Sequence, residues 1–174
     1  IDKPLDTSDK NIEQVLELIN ATFEKYIRKW PQEYLWSYKR FKRKTNRNVV
    51  IIHDNKPGHY KQSFALVEFM KEFSQYKIQE KTVKLVYKNN FTRILSDAIA
   101  FFTPKVFFPA NLFIKFLVAD ETWQSLKNTQ ADIVISTGSI SAAINKIFSA
   151  SCQAKSITIM KPNVYVKKFN LAII

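Results

Sequence analysis

The chain has 174 residues, 46% of them hydrophobic and 14% aromatic, so it can bury a core and does not have the composition of a disordered segment. Its formal net charge of +12 demands an anionic partner: nucleic acid, an anionic lipid surface or a phosphorylated substrate. The single cysteine, Cys152, excludes an intramolecular disulfide and a cysteine-rich zinc site, and reads as a buried spectator thiol.

Residues 1–9 are polar and turn-rich. A helix is expected over about 9–29, capped by Thr7 or Ser8. Its apolar positions Ile12, Val15, Leu16, Ile19, Phe23, Tyr26 and Ile27 recur at helical spacing, and Pro31 ends it. In the stretch that follows, Tyr34, Trp36, Tyr38 and Phe41 interleave with Lys39, Arg40, Lys42, Arg43 and Lys44. Residues 28–47 hold eight Lys or Arg against one Glu, so much of the surplus charge is local.

The pattern changes near residues 45–47, which divides the chain into 1–46 and 47–174. The second part alternates: strand 48–53, helix 60–73, strand 80–87, helical pieces over 91–128 broken by Pro104 and Pro109, strand 132–136, helix 139–149, strand 156–160 and a last strand 170–174. Short β-branched runs separated by helices predict βαβ units and an α/β, Rossmann-like parallel sheet. With no Met at its start and a strand at its end, the chain is expected to be an internal piece of a longer protein.

Gly58 and Gly138 are the only two glycines, and each follows an apolar run and precedes a helical pattern. Glycine accepts φ > 0 and admits close approach to bare backbone. Two such turns in one parallel sheet predict a ligand crevice at the strand C-termini. The first turn, His53-Asp54-Asn55-Lys56-Pro57-Gly58-His59, gathers two imidazoles, a carboxylate and an ammonium. His53 or His59 suits a general acid or base, Lys56 a phosphate, and the following helix offers free N–H groups. It is not a Walker motif. The second turn, Ser136-Thr137-Gly138-Ser139, reads either as a phosphate or ribose contact or as an ordinary N-cap through Thr137 or Ser139. Asp120 and Glu121 are expected to cap a helix beginning at Thr122. No metal-ligand or glycosidase spacing of carboxylates is evident.

Half of the fourteen phenylalanines fall within 91–118: Phe91, Phe101, Phe102, Phe107, Phe108, Phe113 and Phe116, with Lys105 and Lys115 among them. The apolar runs are shorter than the ~20 residues a membrane span needs. They form either core helices or an amphipathic element lying in a membrane interface. The basic-aromatic stretch 34–47 has three readings of its own: stacking and phosphate contacts to nucleic acid, an anionic membrane surface, or packing on another domain.

Residues 9–44 resemble the C-terminal tail of the bacterial lipid A lauroyl/myristoyl acyltransferases. The match is carried by Pro31-Gln32-Glu33-Tyr34-Leu35-Trp36-Ser37-Tyr38-Lys39-Arg40-Phe41-Lys42, with Tyr38 where those tails have His. That family's His-x4-Asp signature is absent, since neither histidine has Asp five positions on. Residues 48–174 resemble the N-terminal part of the family named after a plant mitochondrial fission factor, whose bacterial members are classed as glycosyltransferases. Asp54, Lys56, Gly58, His59 and Gln62 match its opening motif, with Asn55 in place of Gly. The run from Asp132 to Gly138 matches its second strand and turn, with Ser139-Ile140 where a basic residue is common. Lys161-Pro162 and Phe169-Asn170-Leu171 match its later segments, with Asn170 for Asp.

The resemblance implies half of a two-domain GT-B-type fold joined to an acyltransferase tail, in a fused protein of lipid A or lipopolysaccharide biosynthesis. It implies Asp54 and His59 as catalytic groups, and Lys56, Gly58, Gln62, Thr137, Gly138 and Ser139 as substrate contacts. Trp36, Lys39, Arg40, Lys42, Arg43, Phe101, Phe102, Phe107 and Phe108 would meet an anionic membrane. The acceptor would be a lipid-linked sugar. No cofactor is expected in this stretch, a nucleotide-sugar donor and an acyl carrier serve the whole protein, and nucleic acid is not expected. The location implied is peripheral, on the cytoplasmic face of a bacterial inner membrane. The alternative is a non-enzymatic scaffold that recruits partners to a membrane.

Overall fold

The computed structural model describes residues 5–31, 45–105 and 110–174. Contacts divide the chain into two units, Ile1–Arg43 and Lys44–Ile174.

In the first unit, α1 runs over Ile12–Lys29. Its cap is Asn11, not Thr7 or Ser8: Asn11 Oδ1 accepts from Gln14 N at 2.9 Å and Gln14 Oε1 accepts from Asn11 N at 3.1 Å. This reciprocal pair is a capping box and satisfies two otherwise unpaired donors. Asp6 instead receives the N–H and hydroxyl of Ser8, which turns the chain one step earlier. None of the residues of α1 is buried, and Ile12, Leu16 and Phe23 are exposed along one stripe.

The second unit is a Rossmann-like α/β fold. Five strands, β1 (Asn46–His53), β2 (Lys77–Lys84), β3 (Ile133–Thr137), β4 (Lys155–Ile159) and β5 (Leu171–Ile173), form one parallel sheet in the order β2-β1-β3-β4-β5. The helices are α2 (Pro57–Phe73), α3 (Asn90–Phe102), α4 (Ala110–Leu117), α5 (Asp120–Leu126) and α6 (Ser139–Cys152). β1 is buried on both faces, hence its unbroken run Val49-Val50-Ile51-Ile52. Val49, Ile51 and Ile135 pack with Val67 of α2 on one face. Val50, Ile52 and Val134 pack with Ala100, Ile114, Leu117, Ile144 and Ile147 of α3, α4 and α6 on the other. The chain leaves β1 in one direction to reach β2 and in the other to build β3 and β4. Right-handed crossovers then place their helices on opposite faces.

Several boundaries differ from the sequence reading. β2 is three residues earlier than the 80–87 expected, because its register with β1 runs from Asn46↔Lys77 to His53↔Lys84. The apolar Leu85-Val86-Tyr87 that suggested a strand leaves the ladder: Leu85 N donates to His53 O at 2.8 Å, and Tyr87 forms an isolated antiparallel bridge to Val118. α5 begins at Asp120, so Asp120 and Glu121 lie in its first turn instead of capping it. There they complement the helix dipole. α2 starts at Pro57 and not at Tyr60, since proline suits a first helical position whose N–H would lack a partner.

Two polar side chains fix the strand starts. Asp132 Oδ2 accepts from Asn48 N at 2.8 Å, and Asn170 Oδ1 from Ser156 N at 2.9 Å. Both acceptors lie in the segments that carry the family resemblance. Their work here is to hold β1 and β4 in register.

Candidate functional site

The site is built at the C-terminal end of β1. His53 closes the strand and Asp54 turns inward, its side chain only 4% exposed. Asn55 takes φ 66°, a left-handed conformation that asparagine tolerates better than most residues. Pro57 then starts α2, and one turn of helix carries His59 back over Asp54. His59 Nδ1 lies 3.0 and 3.1 Å from the two oxygens of Asp54, with the imidazole 19% exposed. An ionised carboxylate only accepts, so Nδ1 donates. In the neutral ring the lone pair is then on Nε2. Asp54 fixes the tautomer and would stabilise the imidazolium formed when Nε2 takes a proton.

The second turn meets the first at this ring. Gly138 has φ 85° and ψ 171°, a region open essentially to glycine alone. A Cβ there would stand 2.6 Å from His59 Cε1 and 2.9 Å from Nδ1. The imidazole fills the space that any side chain at 138 would occupy. Gly58 differs: its φ is not positive, and a Cβ would meet nothing within 4 Å. The expectation of a left-handed glycine at this turn is corrected, because Asn55 carries the unusual angle.

Hydroxyls and an amide hold the two turns together. Ser63 is four residues after His59, hence on the same face of α2. Its Oγ lies 2.7 Å from Thr137 Oγ1, and both residues are buried. Asn145 Nδ2 donates to Ser136 Oγ at 2.8 Å and to Ile157 O at 2.7 Å, tying α6 to β3 and β4. Tyr87 donates to Ile140 O at 2.8 Å, bracing the first turn of α6. Burial pushes its phenol above the usual range, so it stays protonated. Sequence reasoning did not single out Ser63, Tyr87 or Asn145. The helical offset of four between His59 and Ser63 was the one available signal.

The remaining expected residues are placed unevenly. His53 does not join the dyad: its Nδ1 accepts from Asn55 N at 3.2 Å and its ring packs on Tyr60 at 5.3 Å. Burial first, with Lys84 adding to it, lowers its pKa, against the opposing pull of Asp54. Lys56 Nζ is 3.9 Å from Asp54 and 60% exposed, a loose pair free to meet a ligand anion. Gln62 is exposed one turn beyond His59. Thr137 faces inward on Ser63, so it is a tie between elements. Neither it nor Ser139 caps α6, whose N-cap is Gly138 with no side-chain bond. α2 likewise has no side-chain cap. Both helices thus begin beside His59 without an N-cap side chain, although Asp54 Oδ1 accepts from Lys56 N at 3.4 Å at the start of α2, in the crevice where the strand order reverses between β1 and β3.

Phe101 and Phe102 are exposed at the end of α3. With Phe91 and Ile94 on that helix and Leu112, Phe113 and Phe116 on α4 they form an apolar outer surface. The same helices bury Ala100, Ile114 and Leu117 inward. These helices therefore contribute to the core, as one of the two readings of this segment expected, and leave their outer faces exposed. Among the described residues no helix is long and apolar enough to cross a membrane. Trp36, Lys39, Arg40, Lys42, Arg43, Phe107 and Phe108 lie outside the described residues. Cys152 is half-buried, its thiol pushed up by burial, and its Sγ faces Thr129 O. Among the described residues no group of three or more His, Cys, Asp or Glu is placed to hold a metal ion.

The two glycines give opposite predictions. Gly138→Ala is expected to destabilise the unit by about 1–3 kcal/mol, from the backbone conformation and the displaced imidazole, and Gly138→Ala/His59→Ala to recover part of that loss. Gly58→Ala is expected to be neutral or stabilising by up to ~1 kcal/mol. Urea denaturation of the four proteins checks both. His53 is expected to titrate below the ordinary imidazole value of about 6.5 in an NMR pH series. Its neutral form is favoured in the fold, so its contribution to stability is present above that value and lost as pH falls through the folded pKa.

No protein-family model, curated protein or solved structure matches this chain.

Proposed function

We propose that residues 47–174 are the acceptor-side half of a two-domain glycosyltransferase. It would belong to a longer envelope-biosynthesis protein whose acyltransferase part ends in residues 1–46. The observation that carries this reading is the Asp54–His59 pair, a buried carboxylate aligned on a partly open imidazole. Such a pair suits proton abstraction from a hydroxyl nucleophile, a contribution of roughly 10²–10⁴ in rate. The flanking helix N-termini suit a phosphate or another anionic group of the substrate. In this reading His59 takes the proton of an acceptor sugar hydroxyl, Asp54 orients His59, and Lys56 meets negative charge at the rim. A nucleotide-sugar donor would be held by a further domain, and the acyltransferase part would draw on an acyl carrier.

The acceptor is read as a lipid-linked sugar at the cytoplasmic face of a bacterial inner membrane. The exposed phenylalanines of α3 and α4 favour this, because exposed apolar patches on soluble domains mark partner or membrane surfaces. Aromatic side chains in an interface with lysines at headgroup level suit an anionic bilayer. Trp36, Lys39, Arg40, Lys42 and Arg43 would add to that attraction at ~1 kcal/mol per base near the surface. A scaffold role shares the membrane surface but has no use for an aligned dyad.

Asp54→Asn and His59→Gln in the full-length protein are each expected to lower sugar transfer to a lipid-linked acceptor by about 10²–10⁴ while leaving the thermal midpoint within a few degrees. Full retention of transfer would replace the catalytic reading with the scaffold. Phe101→Ser/Phe102→Ser/Phe116→Ser is expected to reduce co-flotation of the chain with anionic vesicles at least tenfold, with circular dichroism unchanged because all three rings are exposed. Unchanged flotation would remove this surface from the membrane contact.

A further inference from the structure

A polar cavity opens at the opposite end of the strands from the dyad, where α6 ends and β4 begins. Its volume is about 480 Å³, within the ~300–1,000 Å³ typical of small-ligand sites. Five lysines line it: Lys105 after α3, Lys146 on α6, Lys155 at the first position of β4, and Lys167 and Lys168 on the 3-10 turn before β5. Among the described residues no carboxylate lines it. Lys146 is 5% exposed and lines the cavity, and its ammonium is not among the sealed, unpartnered polar atoms of the described residues, so it opens to the cavity. Lys168 rests over the Phe101 ring at 5.7 Å and Lys167 over Tyr165 at 6.0 Å, contacts that leave their N–H donors available.

Five like charges around one cavity repel, and Lys146, the most enclosed of the five, loses part of its hydration as well. Burial, followed by the charges of Lys168 and Lys105, accordingly lowers the pKa of Lys146. The C-terminus of α6 supplies only about half a negative charge, too little to offset the set. What would neutralise it is a compact multivalent anion with several acceptor oxygens.

We infer that this five-lysine cavity is a binding site for a phosphate-bearing ligand, separate from the Asp54–His59 crevice. The shared chemistry is a phosphate monoester or diphosphate, from a soluble metabolite or from a lipid headgroup. Phe101 joins this cavity to the apolar surface of α3, so a headgroup phosphate could enter with its acyl chains on the phenylalanines.

The test is calorimetric titration of the chain with inorganic pyrophosphate at fixed ionic strength. The expected result is saturable one-to-one binding that Lys105→Gln/Lys168→Gln weakens at least tenfold. Lys155→Gln/Lys167→Gln, a second pair with exposed charges, gives the same test should the first pair fold poorly. Lys77→Gln/Lys127→Gln, which removes equal charge elsewhere, and Asp54→Asn should leave the affinity within about twofold. Vesicles of phosphatidylcholine with phosphatidic acid that displace pyrophosphate identify a headgroup as the source. Vesicles that leave the titration unchanged identify a soluble phosphate. Absence of saturable binding, or equal weakening by the Lys77/Lys127 control, overturns the site. A change in affinity beyond twofold in either direction with Asp54→Asn instead places the anion at the dyad.

Discussion

β1 is hydrogen-bonded on both sides and covered on both faces, and the rest of the second unit is arranged around that constraint. A strand with neighbours to left and right must send its crossovers in opposite directions. One helix then lands on each face, and the loops at the strand's C-terminal end part from one another. The gap between those loops is where Asp54 and His59 stand. Each fully buried aliphatic side chain of β1 contributes on the order of 1.5–3 kcal/mol, so Val49, Val50, Ile51 and Ile52 anchor the strand whose last turn carries the site. The dyad is therefore positioned by the core and not by a loose loop.

At the crevice, the contacts that join the two turns also hold the His59 ring. The imidazole of His59 is held by Asp54 on one side and by the bare Cα of Gly138 on the other. Ser63 and Thr137 close the space beneath it, and Asn145 and Tyr87 keep α6 from moving. A ring fixed on several sides loses little entropy when a substrate arrives, which is what a general base requires. Both α2 and α6 begin beside this ring, so the local field favours a negative group near it.

The parallel α/β architecture was legible because buried strands flanked by amphipathic helices write it directly into hydropathy. The strand ends were less so. Leu85-Val86-Tyr87 looks like strand, but pairing with β1 ends the ladder at Lys84. That Asp54 and His59 share one turn could be read from their closeness in sequence, whereas the two glycines, alike in the sequence, differ in the structure. Gly58 sits in an ordinary helical turn with open space around it, and Gly138 is the residue the dyad leans on. No local pattern shows that contact, since it joins residues 79 positions apart through the β1–β3 pairing. The lysine cavity was illegible for the same reason. Its members lie on α6, β4 and two loops, and only the topology gathers them.

The central claim is that Asp54 holds His59 as a base with its free lone pair on Nε2. The most direct measurement is the nitrogen-15 NMR signature of the His59 ring at neutral pH, in the wild-type chain and in Asp54→Asn. The account predicts that the neutral form of the wild-type ring carries its proton on Nδ1, with that preference lost in the variant. A wild-type ring protonated on Nε2, or one whose tautomer ignores Asp54, would contradict it.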